Sequence, residues 1–432
     1  MRTTKSSGGG VRRAHRLQGW RTRAAGAAVV ALTVAACGDA VEDDVDPDDI
    51  ATDVGVDLDE QVVRIGALND ESGPAAQIGE PFAIGKRMLV EQINAGEIDV
   101  LPEGWTVELV ERDHGYNPQE SVQAFQEIAD DVLYFATSFG TPPTMPLVED
   151  ATGRNITIFP ASLESGLAEN EVTPPIGSPY KVEAHQAVDW AVEDGGDELS
   201  LGIIYQGDDY GQDGLDGVNE AAEHHGIDVA AAVEIAPGET DVTGPVTQLA
   251  EAGATHVVLT TLPSATGPIL GTAAQLDYFP VWLGNTPAWI DQFFNEEVLP
   301  AATYQNFRWV TGLTLWGDDV AGMEDFLAAY EQFGEELHPP DFYLIASYAQ
   351  GLMGLEAFDR ALENGDATRD GYHEALRSID DYDARGLFPE AVDLDTFPYE
   401  TQTDTRVLAP GESLEDWETI RDFSTPESWA GL

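Results

Sequence analysis

Val62-Val63-Arg64-Ile65-Gly66-Ala67-Leu68 runs into Asn69-Asp70-Glu71-Ser72-Gly73-Pro74 and then into Ala75-Ala76-Gln77-Ile78-Gly79. The first seven residues form a short apolar run rich in β-branched side chains, which reads as a buried strand. The next six are polar and hold Gly and Pro, which reads as a tight loop. Beyond them Ile78, Phe82, Met88, Leu89 and Ile93 recur at helical spacing over Ile78–Ala95. A strand, a polar loop and an amphipathic helix form one βα unit, and the unit recurs. Trp105–Glu111 reads as a second strand and Pro118–Asp131 as its helix. Val132–Ala136 is a third strand, Pro146–Thr152 a short helix and Ile156–Phe159 a fourth strand. Such a rhythm predicts parallel strands with right-handed crossovers in an open α/β sheet.

The rhythm restarts downstream. Tyr180–Val192, Gly214–His225, Val242–Glu251 and Gly267–Leu276 read as helices. Leu201–Tyr205, Val229–Ile235, His256–Thr261 and Val281–Leu283 read as the strands between them. Phe307–Leu313 reads as a strand running back out, followed by helices at Ala321–Phe333, Tyr343–Leu362 and Asp370–Arg377. About 370 residues in two βα series exceed one core, so two lobes are expected. No internal sequence repeat is visible. The part after Arg385 is rich in Pro, Asp and Thr and has no clear pattern.

The N-terminal residues read differently. Seven basic and no acidic residues precede an apolar run of small side chains, Ala24–Ala36. That run is shorter than the roughly 20 residues a membrane-spanning helix needs and fits a secretory leader over 1–36. Val34-Ala35-Ala36-Cys37 resembles the lipobox of bacterial lipoproteins, which implies cleavage before Cys37 and a diacylglycerol on its thiol. Arg12-Arg13 leaves the export route open. Cys37 is the only cysteine, so no disulfide, thiol nucleophile or thiolate metal site is expected. Residues 37–60 read as a lipidated acidic tether.

The chain carries a net charge of −59, or about −66 without the leader. Nucleic acid and anionic lipid surfaces are excluded as partners, since both need Lys/Arg patches. The acids are spread along the whole chain, which reads as a solvated, self-repelling surface suited to salt rather than a focused cation trap.

Open α/β sheets bind ligands beyond the carboxyl ends of their strands. Four polar, glycine-bearing or hydroxyl-bearing loops lie there: Asn69–Pro74, Thr137–Thr144, Pro160–Ser162 and Gln206–Gly211. Three lead toward helix N-termini, whose free N–H groups can hold an anion.

With these loops in their order, the chain resembles the branched-chain amino acid and amide-type substrate-binding proteins of ABC transporters. The resemblance spans roughly Val62 to Pro389. It rests on Ser72-Gly73-Pro74-Ala75-Ala76-Gln77-Ile78-Gly79 with Ile93-Asn94-Ala95, on Phe139-Gly140-Thr141-Pro142-Pro143-Thr144, on Phe159-Pro160-Ala161-Ser162, and on Tyr205-Gln206-Gly207-Asp208-Asp209-Tyr210-Gly211. It implies a periplasmic binding protein type I fold: two Rossmann-like lobes with open parallel sheets, joined by a three-strand hinge. Lobe 1 would hold 61–179 and 314–386, and lobe 2 would hold 180–313 and 387–432. The ligand-binding residues it implies are Ser72, Ala76 and Ile78 in the first loop, Gly140 and Thr141 in the second, Ala161 and Ser162 in the third, Tyr210 closing from lobe 2, and Thr286.

Thr286 marks a departure. Amino-acid binders of this family place a carboxylate there for the ligand's ammonium group, and a second cleft aromatic is missing from Thr260–Ser264. An unpaired buried ammonium is costly. An amide, a urea-like compound, a carboxylate or an aromatic acid therefore stands beside an amino acid as ligand, with Asp113 or Asp208 as substitute acids. His224-His225 sits near a helix end without a third spaced ligand, so no metal site is expected. Asp208-Asp209 reads as a helix cap, and Trp282, Trp289, Trp309 and Trp316 as core or hinge packing. No nucleophile–base constellation is present, so no catalytic residue and no cofactor are expected. The expected role is a monomeric, lipid-anchored, extracytoplasmic receptor that delivers a small polar solute to ABC permease subunits by cleft closure. The alternative is a sensory ligand-binding protein of the same fold that signals to a membrane receptor.

Overall fold

The structure, a computed structural model, describes residues 50–414 and 416–430. The expected leader, the expected lipidation residue Cys37 and the first part of the expected tether lie outside the described residues. In chain order the strands are β1 (Ala51–Thr52), β2 (Val56–Asp57), β3 (Val62–Asn69), β4 (Thr106–Asp113), β5 (Phe135–Phe139) and β6 (Ile158–Ala161). There follow β7 (Leu201–Gln206), β8 (Val229–Ile235), β9 (His256–Thr260), β10 (Val281–Gly284) and β11 (Phe307–Thr311). The chain ends on β12 (Asp366–Ala367), β13 (Thr405–Pro410) and β14 (Trp417–Ser424).

These strands build two open sheets. In the first lobe β3 pairs in parallel with β4 and β5, and β5 with β6, while β2 pairs antiparallel with the start of β3. In the second the order is β14-β13-β11-β10-β9-β7-β8, parallel from β8 to β11, with β13 and β14 antiparallel at the edge. Each parallel series thus places its first strand between its second and third. The central strands are buried on both faces and read as continuous apolar runs, as parallel strands under helices must. Helix Phe342–Glu363 packs on helix Ala76–Asn94 to complete the first lobe, around a core that includes Met88, Tyr134, Tyr348 and Phe358.

Several boundaries differ from the sequence reading. The third and fourth strands each lie two to three residues later than the apolar runs suggest, so Thr137 to Phe139, Pro160 and Ala161 are strand rather than loop. The far end of the expected tether is part of lobe 1: β1 pairs with β12, and Ile50, Val56 and Leu58 pack on its core. Three apolar side chains scattered among acids carry that contact, and composition hides them. Leu387 to Tyr399, expected in lobe 2, supplies Leu387, Phe388, Val392, Leu394 and Tyr399 to the core of lobe 1. Only from Thr405 does the chain join the second sheet.

Among the described residues no helix is long and apolar enough to cross a membrane.

Candidate functional site

Because the strand orders match, both sheets reverse their winding at an equivalent place, between β3 and β5 and between β7 and β9. Ligands of open α/β sheets lie in the crevice at such a switch point. Here the two crevices face one another.

In the first lobe the buried Asp70 shapes the leading loop. Its carboxylate accepts from the Gly73 N–H at 2.6 Å and the Ala75 N–H at 3.0 Å, and burial raises its pKa. The loop then turns so sharply into helix Ala76–Asn94 that a Cβ on Gly79 would sit 1.9 Å from the Asp70 carbonyl oxygen. Only glycine permits that approach, and it aims Ile78 and Phe82 inward. The second lobe repeats the device. Asp208 caps helix Asp209–His225, accepting from the Gly211 N–H at 3.2 Å. A Cβ on Gly211 would lie 1.8 Å from the Gln206 carbonyl oxygen. Tyr210, 1 % exposed, is thereby held over the cleft with its hydroxyl donating to Asn285 Oδ1 at 2.9 Å.

Gly140 follows β5 with φ +86°, and its N–H donates to the Ala161 carbonyl at 3.1 Å. That turn sets Thr141 against Ser162, their buried hydroxyls 2.6 Å apart. Tyr180 lines the same wall as Ser162. From the other side the Tyr343 hydroxyl donates to the Thr286 carbonyl at 3.0 Å. Across the cleft, Ser264 Oγ donates to the Pro74 carbonyl at 3.0 Å, so the lobes are in contact.

These groups line a narrow cleft between the lobes. Seven residues singled out in the sequence meet on its wall: Ile78, Gly140, Thr141, Ala161, Ser162, Tyr210 and Thr286. Ser72 and Ala76 do not. Ser72 is exposed and its hydroxyl is taken by Asp113, while Ala76, the first residue of its helix, is only half-buried and the inward face begins at Ile78. Phe82, Tyr116, Tyr180, Tyr343, Leu313 and Phe388 line the wall without having been singled out. Phe82, one helical turn beyond Ile78, was open to discovery by spacing; Phe388 carries no local signal.

No Asp, Glu, Lys, Arg or His side chain is among the lining residues. Neither substitute acid faces the cavity: Asp113 is tied to the Glu71 and Gly115 N–H groups, and Asp208 is the helix cap. A carboxyl does lie one layer behind Thr286. Glu183, 0 % exposed, accepts from the Thr286 N–H at 3.0 Å and bonds the Thr286 hydroxyl. Burial pushes its pKa up to about 8, so it is mostly the neutral acid at pH 7. Trp282, Trp289 and Trp309 are core residues, and Trp316 is half-buried against the core of lobe 1. Trp289 packs among Phe293, Tyr304, Phe307 and Trp417, and Trp316 packs on Phe326 and Tyr330. His225 Nε2 lies 2.6 Å from Asp189 Oδ1 at its helix end.

A neutral cavity held between two like-wound lobes, with hydroxyls at one end, is shaped to hold a small solute. The chain belongs to the periplasmic binding protein family, whose description matches residues 62–398. The family comprises extracytoplasmic solute-binding proteins, and the two-lobed type I fold is theirs. Three solved structures illustrate the likeness. A fatty acid ABC transporter substrate-binding protein from Thermomonospora curvata is 23 % identical with a TM-score of 0.81, covering 89 % of this chain and 97 % of that one. A branched-chain amino acid ABC transporter protein from Thermus thermophilus, with bound valine, is 17 % identical with a TM-score of 0.75, covering 86 % and 98 %. A substrate-binding periplasmic protein from Ralstonia solanacearum is 19 % identical with a TM-score of 0.74, covering 82 % and 99 %. No curated protein matches the chain.

Proposed function

We propose that this protein is the monomeric, lipid-anchored substrate-binding component of an ABC importer, and that it captures a small carboxylate with an apolar body. The anchor is Cys37 behind the leader 1–36, and the partners are permease subunits in the membrane. Capture works by population shift: the ligand bridges the lobes and favours the closed arrangement over the open one.

The observation that carries the ligand class is the uncharged wall of the cavity. A zwitterionic amino acid would bury its ammonium without a facing carboxylate, at a cost of several kcal/mol. A carboxylate meets the Thr141–Ser162 hydroxyl pair and the Tyr180 hydroxyl, while an apolar body meets Ile78, Phe82 and Phe139. Similar folds hold both chemistries, since the Thermomonospora protein is described as a fatty acid transporter component and the Thermus protein holds valine. The missing acid favours the former. The small polar solute expected from the sequence thus becomes an amphipathic one.

The test is a thermal-shift panel in high salt with hexanoate, benzoate, valine, isoleucine, acetamide and urea. A ligand at a hundred times its Kd adds about 2.7 kcal/mol to the stability of the folded state. Hexanoate or benzoate should raise the midpoint most, and Thr141→Ala should shrink the rise. A largest shift from valine or isoleucine that survives Thr141→Ala would overturn the proposal.

A further inference from the structure

The cavity has two unlike halves. One lies between the lobes, among Tyr116, Tyr180, Tyr210, Thr141 and Ser162. The other lies where the chain crosses between the lobes, near Gly177, Gly312 and Gln402, and is walled by Ile176, Leu313, Leu387 and Phe388 and floored by Ile345 and Ala349 of helix Phe342–Glu363.

Polar groups on the crossover side are already engaged with protein. Gln350 Nε2 donates to the Pro160 carbonyl at 2.9 Å, and its Oε1 faces Lys86 Nζ at 3.4 Å. Gln402 accepts from the Gly177 N–H and donates to the Glu390 carbonyl. The Thr314 hydroxyl donates to the Leu387 carbonyl at 2.8 Å. The Leu313, Leu387 and Phe388 N–H groups go to Thr311 Oγ1, Ala384 O and Asp383 O. Pro160 and Pro389 line the space and have no N–H to offer. A polar ligand group placed there would be stripped of water and would find these groups already taken, whereas apolar matter loses nothing. Small side chains at Ala346 and Ala349, one helical turn apart, leave a trough in the helix face.

We infer that the crossover half is a subsite for an aliphatic chain, with the ligand's carboxylate at Thr141 and Ser162 and its tail beneath Leu387 and Phe388. This inference rests on the carboxylate reading above and adds the place and chemistry of the tail. Each methylene that enters an apolar subsite strengthens binding about fourfold, equivalent to about 0.8 kcal/mol.

The test is the Kd of the full protein for sodium butanoate, hexanoate, octanoate and decanoate in high salt. Affinity should climb about fifteenfold per two methylenes until the subsite is full. Ala349→Phe fills the trough and should bring the Kd of octanoate and decanoate toward that of butanoate. Should that variant not fold, Ala346→Leu serves as a milder filling and the wild-type series still decides. Equal Kd values along the series, or weakening beyond butanoate, would overturn the subsite while leaving the carboxylate reading intact. Binding of valine or acetamide with none of the four fatty carboxylates bound would overturn both.

Discussion

Glu183 ties three parts of the molecule to one side chain. It stands in the first turn of helix Tyr180–Gly195, and its carboxyl holds Thr286 of the cavity wall through the Thr286 N–H and hydroxyl. The Thr286 hydroxyl continues to Thr311 Oγ1 at 2.8 Å. Burial raises the Glu183 pKa from an ordinary 4.5 to about 8. A carboxyl with a raised folded-state pKa contributes stability that is fully present below the unfolded pKa. That contribution is lost as pH rises through the folded value. The protein should therefore lose stability between about pH 5 and pH 8. Glu183→Gln keeps the shape and removes the titration, so denaturant midpoints measured across pH 5–9 should fall less steeply in the variant. Parallel slopes for the two proteins would contradict this assignment.

At the scale of elements, the second lobe is held by aromatic packing at the junction of β11 and β13. Trp289, Trp309 and Trp417 meet with ring centroids about 5 Å apart, and Trp309 Nε1 donates to the Asn285 carbonyl at 3.2 Å. This knot fixes the Asn285–Thr286 segment, which forms the lobe-2 side of the cavity. Trp289→Ala should cost about 3–5 kcal/mol of stability, the range for deleting a large buried aromatic. It should also weaken ligand binding, because the wall at Thr286 loses its support. Urea unfolding monitored by circular dichroism reads the first effect and a titration reads the second. A loss under about 1 kcal/mol would mean that the site collapses around the gap more fully than its dense packing allows.

On the scale of the whole molecule, charge dominates. The arginines Arg64, Arg87, Arg112, Arg154, Arg360, Arg385 and Arg421 are each paired with an acid. Lys181 pairs with Glu220, and Lys86 is buried against the Ser347 carbonyl. With 79 acids against 20 basic residues, most carboxylates have no basic residue to pair with. Their mutual repulsion is felt over about 10 Å at 0.1 M salt and about 3 Å at 1 M. The melting midpoint should thus climb steadily from 0.05 to 1 M sodium chloride, by the same amount in potassium chloride. A midpoint that does not move would show that the acids are already neutralised by ions held at fixed sites.

The βα alternation, the two-lobed class and seven wall residues were legible in the sequence, because each depends on residues within one or two turns of one another. Ile78 follows its loop, Thr141 follows Gly140, and Tyr210 follows its capping Asp208. The matching strand order of the two lobes left no visible repeat, since many side-chain sets satisfy the same backbone pattern. Two assignments failed for the same reason: Ile50 to Leu58 reads as tether and Leu387 to Tyr399 has no clear pattern and was placed in lobe 2, yet a few apolar side chains in each reach the core of lobe 1. Apolar character in the far half of the cavity was likewise invisible. It depends on pairings such as Gly177 with Gln402, 225 residues apart, which remove polar groups from the ligand's reach. The acidic charge and the single cysteine, Cys37, are read from the sequence alone, and so is the threonine at position 286. That Glu183 stands behind Thr286 as a buried, neutral carboxyl was decided only in three dimensions, because burial is a property of the packed chain and not of its neighbours in sequence.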